Sequence, residues 1–143
     1  KSRGSITLNS SNPYDYPKIL FNYLEDEDDL KQTRECIHVA RKILSQPALA
    51  EHAGDEVGPG FNAQSDDELD EYIRSKADTA YHPCGTCKMG VDDMAVVDQD
   101  LKVNGIGNLR VIDASVIPEI PSANLNAPTL MIAEKGSEAI LNN

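Results

Sequence analysis

The 143 residues, 40% hydrophobic and 26% charged, have the make-up of one globular domain with a core and not of a disordered chain. Twenty-four acidic residues against 13 basic ones leave a net charge of −11, which repels phosphate backbones and argues against nucleic-acid binding. The longest uncharged, mostly apolar run, Ala123 to Ala133, falls far short of a membrane-spanning helix. Three cysteines are an odd number without disulfide-framework spacing, so a reducing compartment is the expected setting. No signal peptide is expected from the opening, since Lys1-Ser2-Arg3-Gly4 leads straight into an alternating pattern, and a chain starting so, without methionine, is expected to be a piece of something longer.

In chain order, Ser5 to Leu8 alternates as a half-buried strand, and Lys18 to Tyr23 reads as a second after the turn signals Asn12-Pro13 and Tyr16-Pro17. From Asp26 to Gln46, Leu30, Ile37, Ala40, Ile43 and Leu44 share one helical face, with acids in the first turn and Arg41 and Lys42 near the end. Cys36 within it is expected to be a small buried hydrophobe, and Pro47 to stop the helix. Gly54 to Asn62 is loop, and Ser65 with Glu68 forms a capping box that starts a helix from Asp66 to about Ala77. Beyond Asp78 the texture changes to short strands, Ala95 to Asp98, Leu101 to Val103 and Leu109 to Asp113. A loop punctuated by Pro118, Pro121 and Pro128 follows, and helical spacing runs from Thr129 to Leu141. There are no internal repeats.

The segment Tyr81 to Gly90, YHPCGTCKMG, supports two incompatible chemistries. As metal ligands, His82, Cys84 and Cys87 would hold a zinc ion, since Pro83-Cys84-Gly85-Thr86-Cys87 fits the second half of a zinc-deaminase signature. The first half, His-x-Glu, is absent: neither His38 nor His52 has a glutamate two residues on, and no second ligand pair completes a structural site. A thioredoxin-like redox pair would need a helix behind the turn, and none is patterned there. Otherwise Cys84 and Cys87 are small packing residues of a turn, and only His82 acts.

With that segment, the run from Val97 to Leu141, VDQDLKVNGIGNLRVIDASVIPEIPSANLNAPTLMIAEKGSEAIL, resembles the C-terminal end of the glucose-methanol-choline family of flavin oxidoreductases, and SRGSITLNSSNPYDYPKILFNYL resembles a further family stretch. The resemblance spans nearly the whole chain, but the family's amino-terminal portion with its Gly-x-Gly-x-x-Gly nucleotide fingerprint has no counterpart, so the chain is expected to be roughly the last quarter of such an enzyme. It implies a mixed α/β portion of a two-domain, FAD-dependent enzyme, with residues 1–78 in the substrate-binding domain and 79–143 returning to the flavin-binding domain. The implied activity is oxidation of a primary alcohol, choline to betaine aldehyde first among them, by hydride transfer to FAD and onward passage of electrons to an acceptor.

The same resemblance implies residue roles. His82 would accept or hold the alcohol proton, a task that suits an imidazole because its reference pKa lies near working pH. The second active-site position, 44 residues on, is Asn126, whose amide can orient the alcohol oxygen but cannot serve as a base. Asp113 and Ala114 would lie against the ribityl and pyrophosphate region of FAD, and Asn126, Ala127, Pro128 and Thr129 would open a helix whose free amides face the flavin ring, favouring its reduced, negatively charged form. Pro128 suits the first turn because it lacks an amide hydrogen. Asn124 would shape the loop, and Ala123 departs from the glycine of many members. Choline would need aromatic faces and a carboxylate around its quaternary ammonium. With five tyrosines, two phenylalanines and only Tyr81 near His82, that box is expected outside this chain. The chain alone is expected to be inactive and to bind FAD weakly, its partners being a small alcohol, an electron acceptor, the missing amino-terminal portion and other copies of itself. A cytoplasmic setting, or one peripheral at the inner membrane, is the expectation for the whole enzyme.

Overall fold

Ile6 and Ile19 face each other at the centre of a short antiparallel pair, β1 (Ser5–Thr7) with β2 (Lys18–Leu20), in the register Ser5 to Leu20 and Thr7 to Lys18. This computed structural model describes residues 1–142. The connection is closed by its own polar groups: Asp15 N–H donates to Asn12 O at 3.1 Å, and Tyr14 N–H to Asn12 Oδ1 at 3.1 Å. Both strands are shorter than their alternation predicts. Asn22 and Leu24 take positive φ, 57° and 58°, which ends extended backbone just past β2. All six strand residues are exposed.

Helix α1 (Glu27–Leu44) starts where Asp26 Oδ1 accepts the Asp28 amide at 2.9 Å, and its acids and bases sit at the ends that the helix dipole favours. It ends two residues earlier than its sequence pattern, and Pro47 opens a one-turn helix α2 (Pro47–Ala50) instead of merely stopping the chain, because proline is pre-set for a first helical position. Helix α3 (Asp66–Lys76) has the expected capping box: the Glu68 amide donates to Ser65 Oγ at 3.3 Å, and the Ser65 amide donates to Glu68 Oε2 at 2.9 Å. Leu30 of α1 is buried, as are Leu69 and Ile73 of α3, and the two helices pack together. Arg34 pairs with Asp66 and Asp70 across that contact; its Nε lies 2.9 Å from Asp70 Oδ1 without hydrogen-bond alignment. Arg41 fixes the loop between α2 and α3, donating to Glu56 Oε1 at 3.0 Å and to the Ala63 carbonyl at 2.8 Å.

The described residues form two compact units, 1–78 and from Thr79 onward. In the second, Val97, Leu101, Val116, Ile117, Leu125 and Ile132 form the core, with Cys84, Met89 and Ile112 packed against it. Three expected strands between Ala95 and Asp113 are present only as single bridges, Met89 to Val97, Val97 to Val103 and Lys102 to Arg110. Turns and bends fill the rest of the segment, and Leu101 and Asn108 take positive φ (65° and 61°), which breaks the pairing before a ladder forms. A one-turn 3₁₀ helix, Ala114–Val116, follows, and α4 (Asn126–Leu141) closes the unit. No helix among the described residues is long and apolar enough to cross a membrane.

Candidate functional site

His82 stands at the start of a turn whose shape is fixed at both ends. Before it, Tyr81 takes the left-handed φ of 58°, a conformation costly for a non-glycine residue, with its amide donating to Thr79 Oγ1 at 3.0 Å. After it, Gly85 takes φ 85°, and two backbone bonds tie the turn to the 3₁₀ segment: Cys87 N–H to Ser115 O at 3.0 Å, and Met89 N–H to Val116 O at 2.8 Å. Lys88 then pairs with Asp92 at 2.9 Å, and that ammonium, with the Met94 amide next, holds the Asp92 carboxyl below its usual range.

The His82 ring is half-buried and makes no hydrogen bond to any described residue. Cys84 packs against the core cluster, as expected of a packing residue. His82, Cys84 and Cys87 do not converge: among the described residues no three His, Cys, Asp or Glu side chains gather as a metal site. Cys36 corrects an expectation, for it is exposed. It shares α1 with Ile43 and Leu44, themselves 54% and 57% exposed, so that stretch of the helix covers no core within its unit.

Asp113 caps the 3₁₀ helix, its Oδ1 accepting the Ser115 amide at 2.8 Å and the Ser115 hydroxyl as well. Its second oxygen has no partner among the described residues, so the exposed carboxylate keeps capacity for a ligand hydroxyl. Ala114, next in the chain, is half-buried against the core.

At the start of α4 the amides are unequal. Asn126 N–H donates to Asn124 Oδ1 at 2.9 Å, two residues back in the loop, and Pro128 has no amide hydrogen. Thr129 corrects the expectation of a free amide. Leu125 precedes the helix with φ −71° and ψ −14°, so its carbonyl already accepts Thr129 N–H at 3.0 Å and Thr129 Oγ1 at 2.7 Å. That leaves the Ala127 amide as the one first-turn donor without an acceptor among the described residues, at the positive end of a 16-residue helix. The Asn126 side chain is exposed.

These three pieces share one scaffold. Cys84 behind His82, Val116 behind Asp113 and Leu125 before Asn126 all meet in the same core. None of the Cys87, Met89, Ser115 and Val116 backbone bonds has a sequence signature, because any side chain supplies the same amide and carbonyl. Two open clefts, of about 660 and 500 Å³, lie elsewhere, lined by Asp98 with residues 102–110 and by Met89 with parts of α4; neither includes His82, Asp113 or Asn126. The donor set fits a ligand with hydroxyls for Asp113 and a carbonyl or anionic edge for the Ala127 amide, groups that a flavin nucleotide presents.

Comparison with known proteins gives a family and a scale. The profile of the family described as GMC oxidoreductase matches residues 1–133. The chain is 52% identical over 139 residues to the oxygen-dependent choline dehydrogenase of Klebsiella pneumoniae subsp. pneumoniae, covering 97% of this chain and 25% of that protein. It is 50% identical to the same-named protein of Vibrio vulnificus, covering 99% and 26%. Among solved structures, pyridoxine 4-oxidase from Mesorbium loti superposes with a TM-score of 0.89 at 32% identity, over 99% of this chain and 28% of that one. A fungal aryl-alcohol oxidase superposes with a TM-score of 0.85 at 33% identity, over 97% and 23%. The chain thus spans about a quarter of the length of the curated relatives it matches.

Proposed function

The chain belongs to the GMC oxidoreductase family, and from that premise we propose that it supplies the proton-handling side chain and part of the flavin contact of a longer, FAD-dependent alcohol oxidoreductase. In this reading residues 1–78 belong to the substrate-binding domain and 79–143 to the flavin-binding domain. Choline is the first candidate substrate, because relatives at 50–52% identity carry the name choline dehydrogenase.

The observation that carries the proposal is a half-buried histidine without a hydrogen bond to any described residue, on a turn tied by backbone bonds to the segment that Asp113 caps. His82 takes the hydroxyl proton of the alcohol at a ring nitrogen, a role worth typically 10²- to 10⁴-fold in rate. Asn126 donates its side-chain amide to the alcohol oxygen and orients it. Asp113 accepts from ligand hydroxyls, and the Ala127 amide with the positive end of α4 favours negative charge nearby. FAD, when bound, supplies the acceptor for the hydride that leaves the alcohol carbon and passes the electrons to an acceptor. With the proton on His82 and the hydride transferred, the alcohol leaves as an aldehyde. The GMC oxidoreductase match and the donor set around Asp113 and Ala127 support this assignment.

A second reading within the family, another primary alcohol as substrate, is favoured by the likeness to pyridoxine 4-oxidase and aryl-alcohol oxidase. Anaerobic mixing of a full-length enzyme containing this sequence with choline, pyridoxine and an aryl alcohol separates the two. Choline should bleach the flavin absorbance fastest. Bleaching by another alcohol and not by choline would overturn the substrate, and bleaching by none of a broad alcohol panel would overturn the activity.

A further inference from the structure

Gly136 lies within α4, where glycine is a poor helix former, yet it is one of only two buried residues of that helix. A Cβ at this position would sit 2.5 Å from Ile112 Cγ2, 2.8 Å from Cδ1 and 3.2 Å from Cγ1. The first of these atoms branches directly from the Ile112 β-carbon, so it cannot swing aside as a chain end could. Ile112 immediately precedes Asp113, and α4 is the helix whose first turn presents the Ala127 amide. The helix bearing one flavin contact therefore seats against the residue next to the other, at a separation that only a missing side chain allows.

We propose that Gly136 is a positioning residue: its bare backbone lets α4 close onto Ile112 and so sets the spacing between the Ala127 amide and the Asp113 carboxylate that together hold the cofactor. The inference rests on the flavin reading of those two residues. A methyl group at 136 pushes α4 away from Ile112 and moves the positive helix end away from the flavin.

The test uses the full-length holoenzyme in four forms: wild type, Gly136→Ala, Ile112→Ala and the double variant. Gly136→Ala should keep the wild-type circular dichroism and weaken FAD binding roughly tenfold, the low end of what overpacking a fitted contact costs. Its flavin midpoint potential should fall, because the reduced, negative form loses the helix end. In the double variant the space vacated by the isoleucine takes the added methyl, so affinity and potential return to those of Ile112→Ala alone. If Gly136→Ala is insoluble, the double variant should be soluble and hold FAD. Unchanged affinity and potential in Gly136→Ala, or a double variant no better than it, would overturn the inference. Ala127→Pro and Asp113→Ala serve as separate controls. If they too leave FAD affinity and potential unchanged, the flavin reading itself fails, whereas a response there with none at Gly136 sinks only this proposal.

Discussion

Two left-handed backbone positions flank His82. Tyr81 holds a left-handed conformation that costs a tyrosine roughly 1–2 kcal/mol, and Gly85 holds one that glycine adopts freely. Gly85→Ala should therefore destabilise the fold by about 1 kcal/mol, since the new Cβ gains only an ordinary 3.4 Å contact with the Ile117 carbonyl to offset the conformational cost. Thermal denaturation of the full-length enzyme checks this, and an unchanged midpoint would contradict the assigned strain. How far such detail is legible in sequence varies by residue. Gly85 between two cysteines announces a turn, but nothing about Tyr81 announces positive φ, because its cause is the tertiary path around it. Pro128 is readable by its chemistry at a helix start. The occupied Thr129 amide is not, because it depends on Leu125 adopting helical dihedrals one residue before the helix. Cys36 misled because a helical pattern shows which residues share a face and not whether another surface covers it.

Among the elements, α3 is the most completely written in the sequence, and its cap makes a pH prediction. The Glu68 carboxyl is held below its usual range, first by the Ser65 amide, then by the Gln64 amide and the Ser65 hydroxyl. A carboxyl lowered in the folded state contributes its full stabilisation above the ordinary glutamate value, and loses it as the pH falls through the lower folded value. Acid titration should thus weaken α3 in that window, while Glu68→Gln, which keeps the hydrogen-bond acceptor, should blunt the acid dependence. Equal acid sensitivity in the two proteins by circular dichroism would contradict it. Ser65→Ala removes the cap oxygen and should cost about 1 kcal/mol. The strands were less legible for the opposite reason. The patterns at Ala95 to Asp113 predict three strands, but a ladder needs a partner in register, and the positive φ at Leu101 and Asn108 leaves only single bridges.

Over the whole molecule, burial is sparse: nine hydrophobic residues are buried among those described, while Ile6, Leu8, Ile19, Leu20 and Phe21 of the hairpin region are all more than half exposed. The α/β character and family were legible because the long ordered motifs around His82 and Asn126 carry the resemblance. In the proposed reading this chain offers a flavin little more than one carboxylate oxygen and one amide. The isolated chain should accordingly show no tight FAD binding by flavin fluorescence quenching, and stoichiometric quenching would contradict that. In a full-length enzyme containing this sequence, the most direct measurement is the anaerobic rate of flavin reduction by the alcohol in wild type and His82→Ala. The account predicts a fall of roughly 10²- to 10⁴-fold with flavin still bound. An unchanged rate in the variant would contradict the role of His82 and, with it, the site built around this turn.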